Sequence, residues 1–306
     1  MLALALPWLV TSAAAQANAP EYGVRAGLGG NTTLAHNHFS YALPPGGATL
    51  HDSVVVSNFT DAPLSFAVHG ADMVGAQGGG FAPAAEGVAA KLVGSWLAVS
   101  RPAITVPPHQ ELSDAFTLVV PAAQLPGEYL GAVVVARSGG GAAQGIQVLT
   151  RAALTVDVTV LGRVDLHAAA GPLAASQQRN EVHFTVPVSN RGNVLFTFTG
   201  AVTVRDGSGR VAATLPVTPA NLYVIPGGHA TVTAVWRGAP WWGSADAVAT
   251  IQARVAGGAQ ATVQSDPLHL GFFPWAVVVA ALAGVAAALI ALVVLSRRRG
   301  FRPAVT

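Results

Sequence analysis

Ile146-Gln147-Val148-Leu149-Thr150-Arg151-Ala152-Ala153-Leu154-Thr155-Val156-Asp157-Val158-Thr159-Val160 decides the fold class. Ile146, Val148, Thr150, Ala152, Leu154, Val156, Val158 and Val160 fall on one phase of a period of two. Gln147, Arg151, Thr155, Asp157 and Thr159 fall on the other. Successive side chains of a strand point to opposite faces, so one face of this segment is made for a core and the other for water. Its length predicts a bulge or bend within it. Val182, Phe184, Val186 and Val188 repeat the pattern, as do Ala247, Ala249, Ile251, Ala253 and Val255 against Gln252 and Arg254. Asp206-Gly207-Ser208-Gly209 reads as a hairpin turn. Between the two ends of the chain no amphipathic helix of useful length is legible. Short β-rich runs separated by Pro, Gly, Asn and Asp predict an all-β chain.

The two halves echo each other. Val54-Val55-Val56-Ser57-Asn58 corresponds to Val186-Pro187-Val188-Ser189-Asn190, each placing Ser-Asn at a strand end where the Asn side chain can close a turn. Ile104-Thr105-Val106-Pro107-Pro108 corresponds to Leu222-Tyr223-Val224-Ile225-Pro226, each followed by a strand (Ala115 to Val120; Ala230 to Trp236). Gly127-Glu128-Tyr129 before Ala132 to Ala136 corresponds to Trp242-Gly243-Ser244 before Ala247 to Val255. The recurrence predicts two tandem immunoglobulin-like β-sandwich domains, 20–161 and 162–270, with the boundary near Leu161-Gly162-Arg163. Gly75 to Gly94, rich in Gly and Ala, reads as an insertion in the first domain. Ser138 to Gly145 reads as a flexible hairpin connection.

The ends of the chain place it. Phe273 to Leu295 is apolar without a charge. As a helix it would be about 34 Å long, against roughly 30 Å of bilayer hydrocarbon. We read it as a transmembrane helix anchored by Trp275 at its start and by Arg297, Arg298 and Arg299 at its end. With Arg302, those arginines form a basic tail (296–306) that prefers the cytoplasm. Residues 1–17 join an apolar run to small residues with Ala-x-Ala spacing, a signal peptide cut after Ala15 or Ala17. Its basic leading region is missing, so either the true start lies upstream of Met1, the reading we favour, or the signal is atypical. The expected localisation is the cell membrane, single-pass, with the domains outside and the C-terminus in the cytoplasm.

Composition narrows the function. The chain has no cysteine, which excludes disulfides, thiol catalysis and Cys-ligated metal. An exported cysteine-free chain biased to Ala, Gly, Val and Arg suits a bacterium with a GC-rich genome. The net charge of +2 comes from the basic tail, so no basic field for nucleic acid exists. No Gly-x-Ser-x-Gly elbow occurs, and Gly78-Gly79-Gly80 and Gly139-Gly140-Gly141 lack the Lys-Ser/Thr of a phosphate-binding loop. A non-enzyme without cofactors is expected.

His36-Asn37-His38, with His51, His69 and Asp72 in the same domain, admits two readings. Imidazoles two apart on a strand point the same way and can share Zn²⁺ or Cu²⁺, or they are surface histidines. Phe81, Trp241 and Trp242 are the candidate ligand contacts, because a flat ring can cover the apolar face of a sugar. The other reading of the tryptophan pair is that it packs under the sandwich edge or rests near the membrane. Trp96 and Tyr129 read as core residues. Asn31-Thr32-Thr33 and Asn58-Phe59-Thr60 match the glycosylation acceptor pattern, which in a bacterial chain reads as chance.

The first domain carries, in order, Phe39-Ser40-Tyr41-Ala42-Leu43-Pro44-Pro45-Gly46, Val54 to Asn58, Asp72 before Gly78 to Phe81, and Gly94-Ser95-Trp96-Leu97. Val106-Pro107-Pro108, Phe116 to Pro121 and Pro126 to Val134 complete the set. In these residues the domain resembles the peptidoglycan-binding domain of bacterial WxL-type surface proteins. The resemblance implies a non-catalytic adhesin that contacts peptidoglycan or partner surface proteins. This chain lacks the Trp-x-Leu pair of those partners and would be their anchored counterpart. A structural stalk without a ligand, or an extracytoplasmic metal-binding or chaperone-like module, are the alternatives from other classes.

Overall fold

The computed structural model describes residues 20–27, 38–76, 79–137, 150–178, 181–273 and 275–299. They are organised in two compact units, one formed by 1–72, 83–124 and 129–159, the other by 73–82, 125–128 and 160–306. Both are β-sandwiches, and a long apolar helix closes the chain.

In chain order the first ten strands are β1 (Tyr22–Ala26), β2 (His38–Leu43), β3 (Ala48–Asn58), β4 (Leu64–Gly75), β5 (Phe81–Pro83), β6 (Leu97–Val99), β7 (Ala103–Val106), β8 (Glu111–Val120), β9 (Gly127–Arg137) and β10 (Arg151–Val160). The short helix α1 (Val93–Trp96) lies between β5 and β6. One sheet runs β1-β3-β8-β6, the other β2-β10-β9-β4-β5 with β7 beside β4. The alternation that opened the sequence reading is kept in β10, where Leu154, Val156, Val158 and Val160 are buried and the residues between them are not. Residues 146–149 lie outside the described residues.

Phe39, Phe66, Phe116, Leu118, Val54, Val56 and Val68 fill the space between these sheets with essentially no exposure. Each such side chain contributes on the order of 2 kcal/mol by leaving water. The ring of Phe116 stands edge-on to Phe39 at 5.0 Å. The expected insertion is more ordered than its glycine content suggests. The Asp72 carboxylate accepts the backbone N–H groups of Lys91, Leu92 and Gly94 at 2.6–3.2 Å, fixing the entry to α1. Gly94 then sits so close to β4 that a Cβ there would lie 2.4 Å from the Ala71 carbonyl carbon, a position only glycine fits. Trp96 is buried, with its ring 5.5 Å from that of Tyr129, as expected of core residues.

The second ten strands are β11 (Ala168–Ala170), β12 (Ala174–Gln178), β13 (Glu181–Asn190), β14 (Phe196–Asp206), β15 (Val211–Pro216), β16 (Tyr223–Val224), β17 (His229–Arg237), β18 (Gly243–Arg254), β19 (Gln260–Gln264) and β20 (Leu268–Phe272). One sheet is centred on β13, flanked by β17 on one side and by β11 and β12 on the other. The second is centred on β14 and β18, flanked by β15, β16, β19 and β20. Phe184, Phe196, Phe198 and Ile251 form the centre of its core. The Asp206–Gly209 turn links β14 to β15 as expected, and Asp206 Oδ1 accepts both the amide and the hydroxyl of Ser208.

One asparagine closes the equivalent turn in each sandwich. Asn58 is 1% exposed; its Nδ2 donates to the carbonyls of Ala62, Val106 and Pro107, and its Oδ1 accepts the Thr60 amide. Asn190 is 2% exposed; its Nδ2 donates to Val194 and Val224, and its Oδ1 accepts the Gly192 amide. Both side chains therefore bind the turn they open to the Val-Pro or Val-Ile-Pro segment of the matching strand. At 1% exposure Asn58 cannot serve as a glycan acceptor in the folded chain, and Asn31 lies outside the described residues.

Helix α2 (Trp275–Arg299) follows. Its Val278–Leu295 window has a mean hydropathy of 2.9 and no part of it is buried against the protein. It is long and apolar enough to cross a membrane.

Candidate functional site

Each residue singled out from sequence falls in a different setting. Phe81 starts β5 half-buried, with its ring 6.3 Å from that of Tyr223. His38 starts β2, and His36 lies outside the described residues. Across the sheet from His38, Asp157 on β10 has a buried oxygen with no hydrogen-bond partner. Burial pushes its carboxyl above the ordinary value, and His38 pulls it partly back. Among the described residues no group of three or more His, Asp or Glu could hold a metal ion.

Asp157 gives a pH prediction. A folded-state value above the unfolded one means that the folded chain binds the proton more tightly, so stability falls as pH rises through that window. Asp157→Asn is therefore expected to be more stable than the parent at pH 7. The gap should close as pH falls below about 4, where the parent carboxyl is protonated in both states. Chemical denaturation at the two pH values measures it.

Trp241 and Trp242 are the most exposed large aromatics, at 72% and 59%. They tip the loop from β17 to β18, in Gly238-Ala239-Pro240-Trp241-Trp242-Gly243. Gly238 (φ 72°) and Gly243 (φ 113°) turn the chain at its two ends in the left-handed region that favours glycine. Ala239 is buried between them and pins the loop. Gly243 pairs with Phe272 at the end of β20, and Trp242 lies 5.4 Å from the ring of Phe273, two residues before α2. Trp275 opens α2, and Arg297, Arg298 and Arg299 close it. The tryptophan pair and the mouth of the helix thus share one end of the second sandwich. Sequence spacing could not show this, because it depends on the register of β18 with β20.

The opposite end of β18 carries a small polar cleft of about 90 Å³ lined by Thr197, Thr199, Asn221, Gln252, Arg254 and Gln260. It is well below the several hundred Å³ of an ordinary small-molecule site and holds no nucleophile–base pair.

No family model matches the chain, and no curated protein matches it. Solved structures do. A class 5 fimbriae chaperone, CfaA, is 11% identical over 75% of this chain and 97% of its own, with a TM-score of 0.36. The Salmonella enterica SafA pilin–SafB chaperone complex contains a chain 13% identical over 83% of this one and 99% of its own, TM-score 0.35. The periplasmic chaperone SfaE is 16% identical over 79% and 99%, TM-score 0.32.

The resemblance to WxL-type surface proteins is overturned: no family model matches the chain, and the three solved structures just named, similar to it, are chaperones or a pilin–chaperone complex. The residues that carried the resemblance meet needs common to sandwiches. Asn58 clamps a turn, Phe39 and Trp96 fill a core, and Gly94 permits a close approach.

Proposed function

We propose that this is a non-catalytic envelope protein, held in a membrane by α2, whose two sandwich domains (20–161 and 162–270) bind other exported or surface proteins. The observation that carries the reading is the bare surface of α2. Leu282, Val285, Leu289, Ile290 and Leu292 are each about 60% exposed, with no protein against them. In water such a helix would leave a continuous apolar surface uncovered; in hydrocarbon its backbone bonds are satisfied internally and its side chains are matched by lipid. The arginines that end it favour a cytoplasmic C-terminus. Strand edges suit a protein partner: β12 ends its sheet with every residue exposed, offering backbone groups to an added strand.

The absence of cysteine makes the topology directly testable. Single cysteines replace half-buried Gln124 and, in the tail, Ala304. An impermeant maleimide applied to intact cells, with the outer envelope opened, is expected to label Gln124→Cys and to reach Ala304→Cys only after lysis. Equal labelling of both, or release of the chain from membranes by carbonate, sinks the anchoring. Crosslinking from β12 tests the partner, with capture of a defined exported protein expected and none recovered in the stalk reading.

A further inference from the structure

We propose that the Trp241-Trp242 loop is a membrane-interface foot, which docks the base of the second sandwich into the headgroup layer of the bilayer that α2 crosses. The inference rests on the anchoring just proposed and replaces the ligand-contact role expected for these two residues.

The geometry leaves the loop little freedom to be elsewhere. Phe272 is fixed in β20 by its pairing with Gly243, and α2 begins at Trp275. Three residues of extended chain reach at most about 10 Å. The interfacial layer on each side of the hydrocarbon is roughly 5–8 Å deep. A sandwich tethered so closely keeps this end within reach of that layer, and the rings decide whether it enters. Trp242 is adjacent to Gly243, and its ring meets Phe273 on the tether itself.

The chemistry of this end fits the same place. Trp is enriched at membrane–water interfaces because its ring is apolar and its indole N–H is polar. Here two such rings and Phe273, 44% exposed, stand together on a soluble sandwich whose other aromatic side chains are mostly packed. The β14–β15 turn reaches the same end, since Asp206 pairs with Ala245 in β18, and it adds exposed Val211. The charges there are matched. Arg237 bonds Glu181, Arg210 lies 3.5 Å from Asp206, His269 contacts Asp246, and Arg205 donates to the Gly209 carbonyl. An electrostatic footprint would leave basic groups unpaired, so the aromatic rings carry the contact, and it should be insensitive to salt and to anionic lipid content.

The test uses the full chain in phosphatidylcholine vesicles, with a nitroxide on one cysteine at a time. Trp241→Cys, with Trp242 kept, reads the foot, and Val285→Cys reads the middle of α2. Gln260→Cys reads water, because Gln260 pairs with Arg254 at the far end of β18, about 36 Å from Gly243. The expected result is hydrocarbon-like oxygen accessibility at 285, full access of a polar nickel reagent at 260, and several-fold reduced access at 241. That reduction should persist at 1 M salt and should be lost when Trp242→Ser is added. If 241 is as accessible as 260 while 285 reports hydrocarbon, the foot is wrong and the anchor stands. If 285 reports water, both fall.

Discussion

Replacing Asn190 or Asn58 by alanine is expected to lower the stability of its sandwich by about 3 kcal/mol or more, among the largest effects of any single polar substitution in the chain. Alanine at 190 removes the side-chain donor to the carbonyls of Val194 and Val224 and the acceptor of the Gly192 amide. The site is nearly closed to water, so these groups lose their partner without gaining solvent. Each buried polar group left unpaired costs roughly 1–3 kcal/mol. At 58 the Val106 carbonyl loses its side-chain donor, while the carbonyls of Ala62 and Pro107 keep the Thr60 hydroxyl and the Gln110 amide. Aspartate is the sharper probe. It keeps the shape and the acceptor oxygen but cannot donate, and it turns a carboxylate toward carbonyl oxygens. Denaturant unfolding of the two aspartate variants should show losses at least as large as those of alanine. A loss under 1 kcal/mol would show that the turns hold without the clamp.

Arg101→Met should cost about 3–5 kcal/mol through the acid it abandons. Asp114 sits on β8 with no side-chain exposure, and Arg101 Nε donates to its Oδ1 at 2.9 Å. A second nitrogen of the same guanidinium donates to the Ser113 carbonyl. Half of the Arg101 side chain is in water, so its removal exposes little apolar surface. The loss therefore comes from the carboxylate, held where water cannot replace its partner. Adding Asp114→Leu to Arg101→Met removes the stranded charge and should recover most of the loss. If the double variant is as unstable as the single one, packing and not charge is responsible.

The periodic features of the fold were legible from the sequence because they are local. Leu154 to Val160 alternate in the structure as they do in the chain, since a strand turns each side chain to the face opposite its neighbour. The echo between Val54–Asn58 and Val186–Asn190 pointed to the same turn twice, because asparagine is one of few residues able to satisfy a strand-end turn by itself. Less legible was the insertion after β4. Its glycines and alanines carry no period, and the entry to α1 is set by a carboxylate, Asp72, distant in sequence from the amides it holds. The family resemblance failed for a related reason. Residues demanded by a common fold recur in chains of different families and cannot tell those families apart.

An all-β chain with a strand-end asparagine in each half and an apolar C-terminal segment could be read from local pattern and composition. All three follow from interactions within a few residues, or from composition against the thickness of a bilayer. The surroundings of the singled-out side chains were decided only by the tertiary structure. Phe81 and the tryptophan pair are equally aromatic and equally loop-bound in the sequence. Tertiary packing puts Phe81 near Tyr223, and the register of β18 with β20 leaves Trp241 and Trp242 bare beside the start of α2. Register is a long-range property, fixed by which strand pairs with which, and no local pattern encodes it.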